Sequence, residues 1–229
     1  MVDKVLIEKA RWFHGHLCPF LVLGLRMSEI AMERLGVLRA GEEETVGEEL
    51  LAIVEVNNCL VDGVQVATGC TLGNNSLIYV DLGKNAVTLV RRGLWRGVRV
   101  YVDSERIRSK YFSSEALQLF DKVVRRREGT PEDREKLSRV WEELAYKMAN
   151  LPVEEFTIEE VEVEPIERAG IYESVRCGKC GELLMITKAV VVNGTYLCPA
   201  CAGVGTSAVV GRGIERTFKY PVKVGGVET

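Results

Sequence analysis

An α+β fold, a mainly antiparallel sheet packed with helices plus a small C-terminal four-cysteine zinc-binding domain, is predicted by three observations. Stretches with helical spacing of apolar residues flank a block of short β-branched runs joined by glycine-containing turns. Two CxxC pairs lie close together in the last quarter of the chain. The composition, 47% hydrophobic and 28% charged over 229 residues, suits one sizeable core with a small appendage. A core domain is therefore expected over residues 1–165 and a metal-binding domain over 166–229. The formal net charge of −3 provides no basic field for nucleic acid. The longest apolar run, Leu17 to Leu25, is broken by Pro19 and Gly24 and is too short to span a membrane. Met1-Val2-Asp3-Lys4 lacks the pattern of a secretory signal, so the expected location is cytoplasmic. Seven cysteines in that reducing setting argue for metal binding or reactive thiols rather than disulfides.

Residues 3–12 read as a first helix leading into Phe13-His14-Gly15-His16-Leu17-Cys18-Pro19, which holds both histidines of the chain. Proline disfavours the helical region for Cys18 and suits the first position of a following helix. In an extended segment His14, His16 and Cys18 point the same way, in front of a helix N-terminus whose positive end favours a thiolate. Surface histidines beside a buried, inert cysteine give the same pattern. Residues 20–36 form an apolar helix, with Gly24 permitting close packing and Gly36 as its stop. Residues 39–49 read as a solvated loop or part of a helix.

Leu50–Val56 is a buried strand by composition. Asn58 then caps a helix, Cys59–Thr68, stopped by Gly69. Cys59 sits on its first turn with Asp62 on the same face, and Gln65 shares the face of Asp62. The alternative is a buried Cys59 with Asp62 serving only the helix terminus. Cys70-Thr71-Leu72-Gly73-Asn74-Asn75 makes a turn whose amides face a ligand, without the pattern of a phosphate loop. Strands at 76–81, 86–91 and 97–102 complete an expected four-stranded antiparallel sheet. Residues 113–127 read as a helix with Leu117, Phe120 and Val124 inward. Thr130-Pro131 opens another whose face, Leu137, Val140, Trp141, Leu144, Ala145 and Met148, reads as packing. Residues 156–164 are a strand or connector. In the tail, Cys177-Gly178-Lys179-Cys180 and Cys198-Pro199-Ala200-Cys201 have the spacing of a closed structural zinc site. The stretch from Leu183 to Tyr196 reads as the hairpin between them, turning at Asn193-Gly194.

Together, His14-Gly15-His16-Leu17-Cys18-Pro19, then Cys59, Asp62 and Gln65, then Gly69-Cys70-Thr71-Leu72-Gly73, then Gly83-Lys84 with Ala86 resemble the E-subunit (FmdE-like) family of formylmethanofuran dehydrogenase. The resemblance spans roughly residues 8–103, and the tail resembles the zinc finger that some members carry. It implies an α+β core, a homodimer, a cavity lined by these His and Cys residues and a treble-clef finger; the spacing alone leaves a zinc ribbon open. It also places Phe20 where related sequences carry glycine at the cavity mouth.

Three function classes follow. In the first, the core is a metal or reactive-thiol site of an enzyme or enzyme subunit. Its metal ligands are His16, Cys18 and Cys59. Cys59, Asp62 and His14 serve catalysis, and Gln65, Cys70 and Thr71 face a small-molecule or cofactor ligand. Zinc in the tail and a second transition metal in the core are the expected cofactors. In the second, the protein is a non-catalytic partner of a molybdenum or tungsten enzyme or its cofactor. In the third, the finger is an adaptor for nucleic acid or protein, against which stands the lack of a dense basic and aromatic face.

Overall fold

In the computed structural model, which describes residues 1–211 and 213–222, the chain forms two compact units, Met1–Glu167 and Arg168–Thr229. The first unit opens with α1 (Lys4–His14), α2 (Pro19–Leu35) and a short α3 (Glu42–Val46). It continues through β1 (Leu50–Val54), α4 (Cys59–Thr68), β2 (Leu77–Tyr79), β3 (Ala86–Arg91) and β4 (Arg96–Val102). Helices α5 (Ser104–Tyr111), α6 (Ser114–Phe120) and α7 (Pro131–Ala149) precede the last strand, β5 (Phe156–Glu162).

The sheet has five strands in the order β2-β1-β3-β4-β5 rather than the expected four. Residues 156–162 pair antiparallel with β4 along their whole length, and this supplies the fifth. β1 and β2 run parallel, with Ala52 opposite Leu77. That corrects the all-antiparallel expectation. The helix α4 lies between these two strands, and a helical crossover returns the chain in its starting direction, where a tight turn would reverse it.

Helix α2 is the centre of the core. Leu21, Val22, Leu23, Leu25, Met27, Ile30 and Ala31 are all essentially inaccessible. They are covered by the sheet, α4 and α7, so this apolar surface is satisfied within the chain. Two glycines set the approach of α2 to α4. A β-carbon at Gly24 would lie 2.1 Å from the Leu60 carbonyl oxygen, and one at Gly63 would lie 2.2 Å from that of Leu21. The helices therefore meet backbone to backbone. The contact is about 9 Å from the start of α2 and about 6 Å from the start of α4, at about 1.5 Å per residue. Their first residues are held side by side as a result.

Helix α5 has no apolar periodicity to announce it, because Ile107 is its one buried residue; Asp103 starts it by accepting from the Glu105 and Arg106 amides. In α6 the buried face is Ala116 and Leu119, whereas Leu117 and Val124 are exposed. The small Ala116 takes the inward position, and a π-helical turn at Asp121–Arg125 then breaks the regular helical register on which the expected face depended.

The described residues of the second unit form three antiparallel hairpins. They are β6 (Ser174–Arg176) with β7 (Leu183–Met185), β8 (Val190–Val192) with β9 (Thr195–Leu197), and β10 (Thr206–Val210) with β11 (Gly213–Phe218). Asn193 and Gly194 have φ of 49° and 77°, both in the left-handed region that a type I′ turn requires. The hairpin they close covers Val190 to Leu197, since β7 pairs with β6 instead of β9. After Cys201 the described residues form the β10–β11 hairpin, as in the ribbon alternative.

Candidate metal centre

Four donors gather at the N-terminal ends of α2 and α4. One ligand atom each from His14, His16, Cys18 and Cys59 lies within 4.8 Å of the others. The route differs from an extended segment. His14 is the last residue of α1, Gly15 caps that helix with φ of 87°, and Cys18 is the extended N-cap of α2. A helix end, a left-handed glycine and an N-cap thus achieve the convergence expected from alternation. Asn58 caps α4 by accepting from the Leu60 amide at 2.9 Å, which leaves Cys59 as the first helical residue beside Cys18.

His14 is oriented from outside the cluster. Its Nδ1 lies 2.6 Å from Asp62 Oδ2, and Gln65 Nε2 donates to Asp62 Oδ1 at 3.1 Å. Gln65 Oε1 accepts from the Leu72 amide at 3.4 Å. With Nδ1 occupied, Nε2 is the nitrogen left for a ligand. It is buried and has no hydrogen-bond partner. His16 sits at the exposed side. Its ring is 4.4 Å from that of His14 and stacks on Trp141 at 5.9 Å and 26°. Phe120 continues the aromatic contact 6.1 Å beyond Trp141.

The sulfurs behave as a pair. The Cys18 thiol donates to Cys59, and this hydrogen bond, with burial, pushes the Cys18 pKa well above the ordinary thiol value. The same bond lowers Cys59 to about 6, with His14 assisting and burial opposing. The helix-dipole expectation of a thiolate therefore holds for Cys59 and is corrected for Cys18, which keeps the shared proton next to a neighbouring negative sulfur. Burial, and then the charge of His14, lower the pKa of His16, favouring the neutral imidazole that binds metals.

This set fits a divalent transition metal. Zinc-like bond lengths place tetrahedral N and S donors about 3.3–3.8 Å apart, so the cluster closes on an ion with movements of about 1 Å. An orphaned imidazole nitrogen backed by a carboxylate is the arrangement that metal-ligating histidines adopt. His14, His16, Cys18 and Cys59 would hold the ion, and Lewis acidity is what it would supply.

Other residues singled out in the sequence lie elsewhere. Cys70 is fully buried, donates to the Leu50 carbonyl at 3.3 Å and is pushed to about 11 by burial, so it is a packed thiol outside the cluster. Thr71 holds its own turn, with Oγ1 accepting from the Asn74 amide. Phe20 packs against the core, with the Arg108 guanidinium 5.7 Å over its ring. Sequence reasoning missed Trp141, whose helical spacing is the same whether its ring faces the core or the site.

In the second unit, one sulfur each from Cys177, Cys180, Cys198 and Cys201 also lies within 4.8 Å of the others. The Cys198 amide donates to Cys177 Sγ at 3.3 Å, and the Cys201 amide to Cys198 Sγ at 3.4 Å. Backbone amides of Cys180 and Cys198 lower Cys177 to about 6. Four thiolate-type donors with no other ligand residue suit a closed zinc site. No helix among the described residues is long and apolar enough to cross a membrane.

A family model described as "FmdE, Molybdenum formylmethanofuran dehydrogenase operon" matches residues 13–158. A protein of Archaeoglobus fulgidus named "Probable S-adenosyl-L-methionine-binding protein" is 63% identical over 214 residues, covering 92% of this chain and 56% of its own length. The chain thus spans little more than half of that curated relative. The crystal structure of an FmdE-like protein of tungsten formylmethanofuran dehydrogenase, from Syntrophus aciditrophicus, superposes with a TM-score of 0.55 at 24% identity, over 86% of this chain and 90% of that one. That likeness extends to the fold.

Proposed function

The chain belongs to the FmdE family, and from that premise we propose that its core is a mononuclear transition-metal centre in an enzyme or enzyme subunit, with a separate structural zinc in the tail. The observation that carries the reading is the buried, partnerless Nε2 of His14, whose other nitrogen is tied to Asp62. Leaving such a nitrogen without a partner costs about 1–3 kcal/mol, and a metal bond would remove that cost. In this reading His14, Cys18 and Cys59 are the inner ligands, and His16 completes the set from the solvent side. Asp62 and Gln65 orient His14 and hold its proton on Nδ1.

Metal content of the full chain tests it. Two ions per chain are expected; Cys59→Ser removes the core ion alone and Cys198→Ser the tail ion alone. A wild-type chain with one ion, lost in Cys198→Ser and kept in Cys59→Ser, would refute the core centre.

A second reading has its own support in the depressed pKa of Cys59, which makes the metal-free pair a reactive thiolate. The accessory role toward a molybdenum or tungsten enzyme rests on the family description alone. S-adenosyl-L-methionine enters as a ligand to be tested by equilibrium dialysis, because the relative that carries the name is much longer than this chain. Homodimerisation rests on the family resemblance. The apolar helix first invoked for it is buried in its own chain, whereas Trp12 and Phe13, just before the metal cluster, are exposed. Sedimentation at micromolar concentration measures the assembly directly.

A further inference from the structure

Resting on the core centre proposed above, we infer that His16 is its exchangeable ligand, that Trp141 governs the exchange, and that the position His16 vacates takes a neutral nitrogen or sulfur donor. The four donors are held very unequally. Cys18 and Cys59 are fixed by the starts of two helices that touch backbone to backbone. His14 is fixed by the end of α1 and by Asp62. His16 lies in the short link between α1 and α2, is exposed, and has no hydrogen bond to a protein group among the described residues. An exposed imidazole on such a link samples several rotamers within nanoseconds. What selects the rotamer that points into the cluster is the stack on Trp141, itself backed by Phe120.

Charge decides which donors can enter. A divalent ion with two thiolates and neutral imidazoles carries no net charge, so exchanging one neutral donor for another leaves the balance unchanged. An anion would add uncompensated charge at a partly buried site. An imidazole, amine, thiol or thioether group is therefore the class of ligand that replaces His16. Trp141 is a positioning residue here, since it acts through His16.

The full chain loaded with cobalt(II) and titrated with imidazole tests this by visible absorption, to which the closed four-sulfur tail contributes a constant background. His16→Ala, a change at an exposed position, should keep two cobalt ions per chain and bind imidazole more tightly than wild type. Trp141→Ala should lower the half-saturating imidazole concentration of the wild type by about two- to tenfold, the weight of one ring pair, and Trp141→Phe should restore most of it. Loss of the core cobalt in His16→Ala, as complete as in Cys59→Ser, would make His16 a fixed ligand and overturn the inference while leaving the centre intact. So would equal imidazole affinity in wild type and His16→Ala, a result that needs no Trp141 variant. A wild-type chain with cobalt in the tail alone would remove the centre and the inference together.

Discussion

Cys59 carries the most direct chemical expectation for a single residue. Its pKa in the folded, metal-free chain is about 6, against 9.0 for an ordinary thiol. A depressed acid contributes stability that is complete above the unfolded value and is lost as pH falls through the folded one, here between about 9 and about 6. Iodoacetamide alkylation of Cys59 in metal-free protein should therefore rise with a midpoint near 6, move upward in Cys18→Ser, which removes the donor, and be blocked by metal. A midpoint at the ordinary thiol value in the intact chain would show that the sulfurs do not share a proton. Much of this site was legible from residue types. Asn58 as a cap and the spacing of Cys59, Asp62 and Gln65 on one helix follow from local rules. That His14 closes a helix could not be read from alternation, because Gly15 redirects the chain by a left-handed turn that the pattern does not encode. Trp141 was invisible because an aromatic at a core-like position looks the same on either side of its helix.

Between elements, the α2–α4 crossing determines the geometry of the cluster. Gly63→Ala would push a β-carbon into the Leu21 carbonyl, and backbone cannot yield as a flexible side chain can. Overpacking of this kind costs about 1–3 kcal/mol. It should also spread Cys18 from Cys59, so chemical denaturation should record the lost stability and chelator competition a weaker core metal. Unchanged metal affinity alongside lost stability would separate the crossing from the site. The elements that sequence reasoning placed well are those with strong end signals. Pro19 and Gly36 bound α2, Asn58 and Gly69 bound α4, and Thr130-Pro131 starts α7. Strand direction was less accessible, since β1 and β2 are parallel only because the residues between them form a helix that packs on α2. Likewise the strand that completes the sheet, β5, is half polar and lies on an edge, where alternation is weakened by Glu159, Glu160 and Glu162 facing solvent.

At the scale of the molecule, the two units are stabilised by different means. Met1–Glu167 contains an extensive buried apolar cluster, whereas Cys177 is the one fully buried apolar side chain among the described residues after Arg168. The second unit should therefore depend on its metal for its fold. Limited proteolysis after chelation is expected to cut between residues 168 and 222 and to spare the first unit. Cleavage within residues 20–150 at the same chelator concentration would contradict that independence. The core cluster has an asymmetry of a different kind, since His14, His16 and Cys18 are near neighbours in the chain and Cys59 arrives from beyond β1. Three adjacent donors form a chelating peptide before any tertiary structure exists, while the fourth adds only when a loop of intervening residues closes. Synthesis from the N-terminus consequently presents a metal-binding segment to the cell well before the sheet is complete, and an ion captured there becomes a template on which α4 docks.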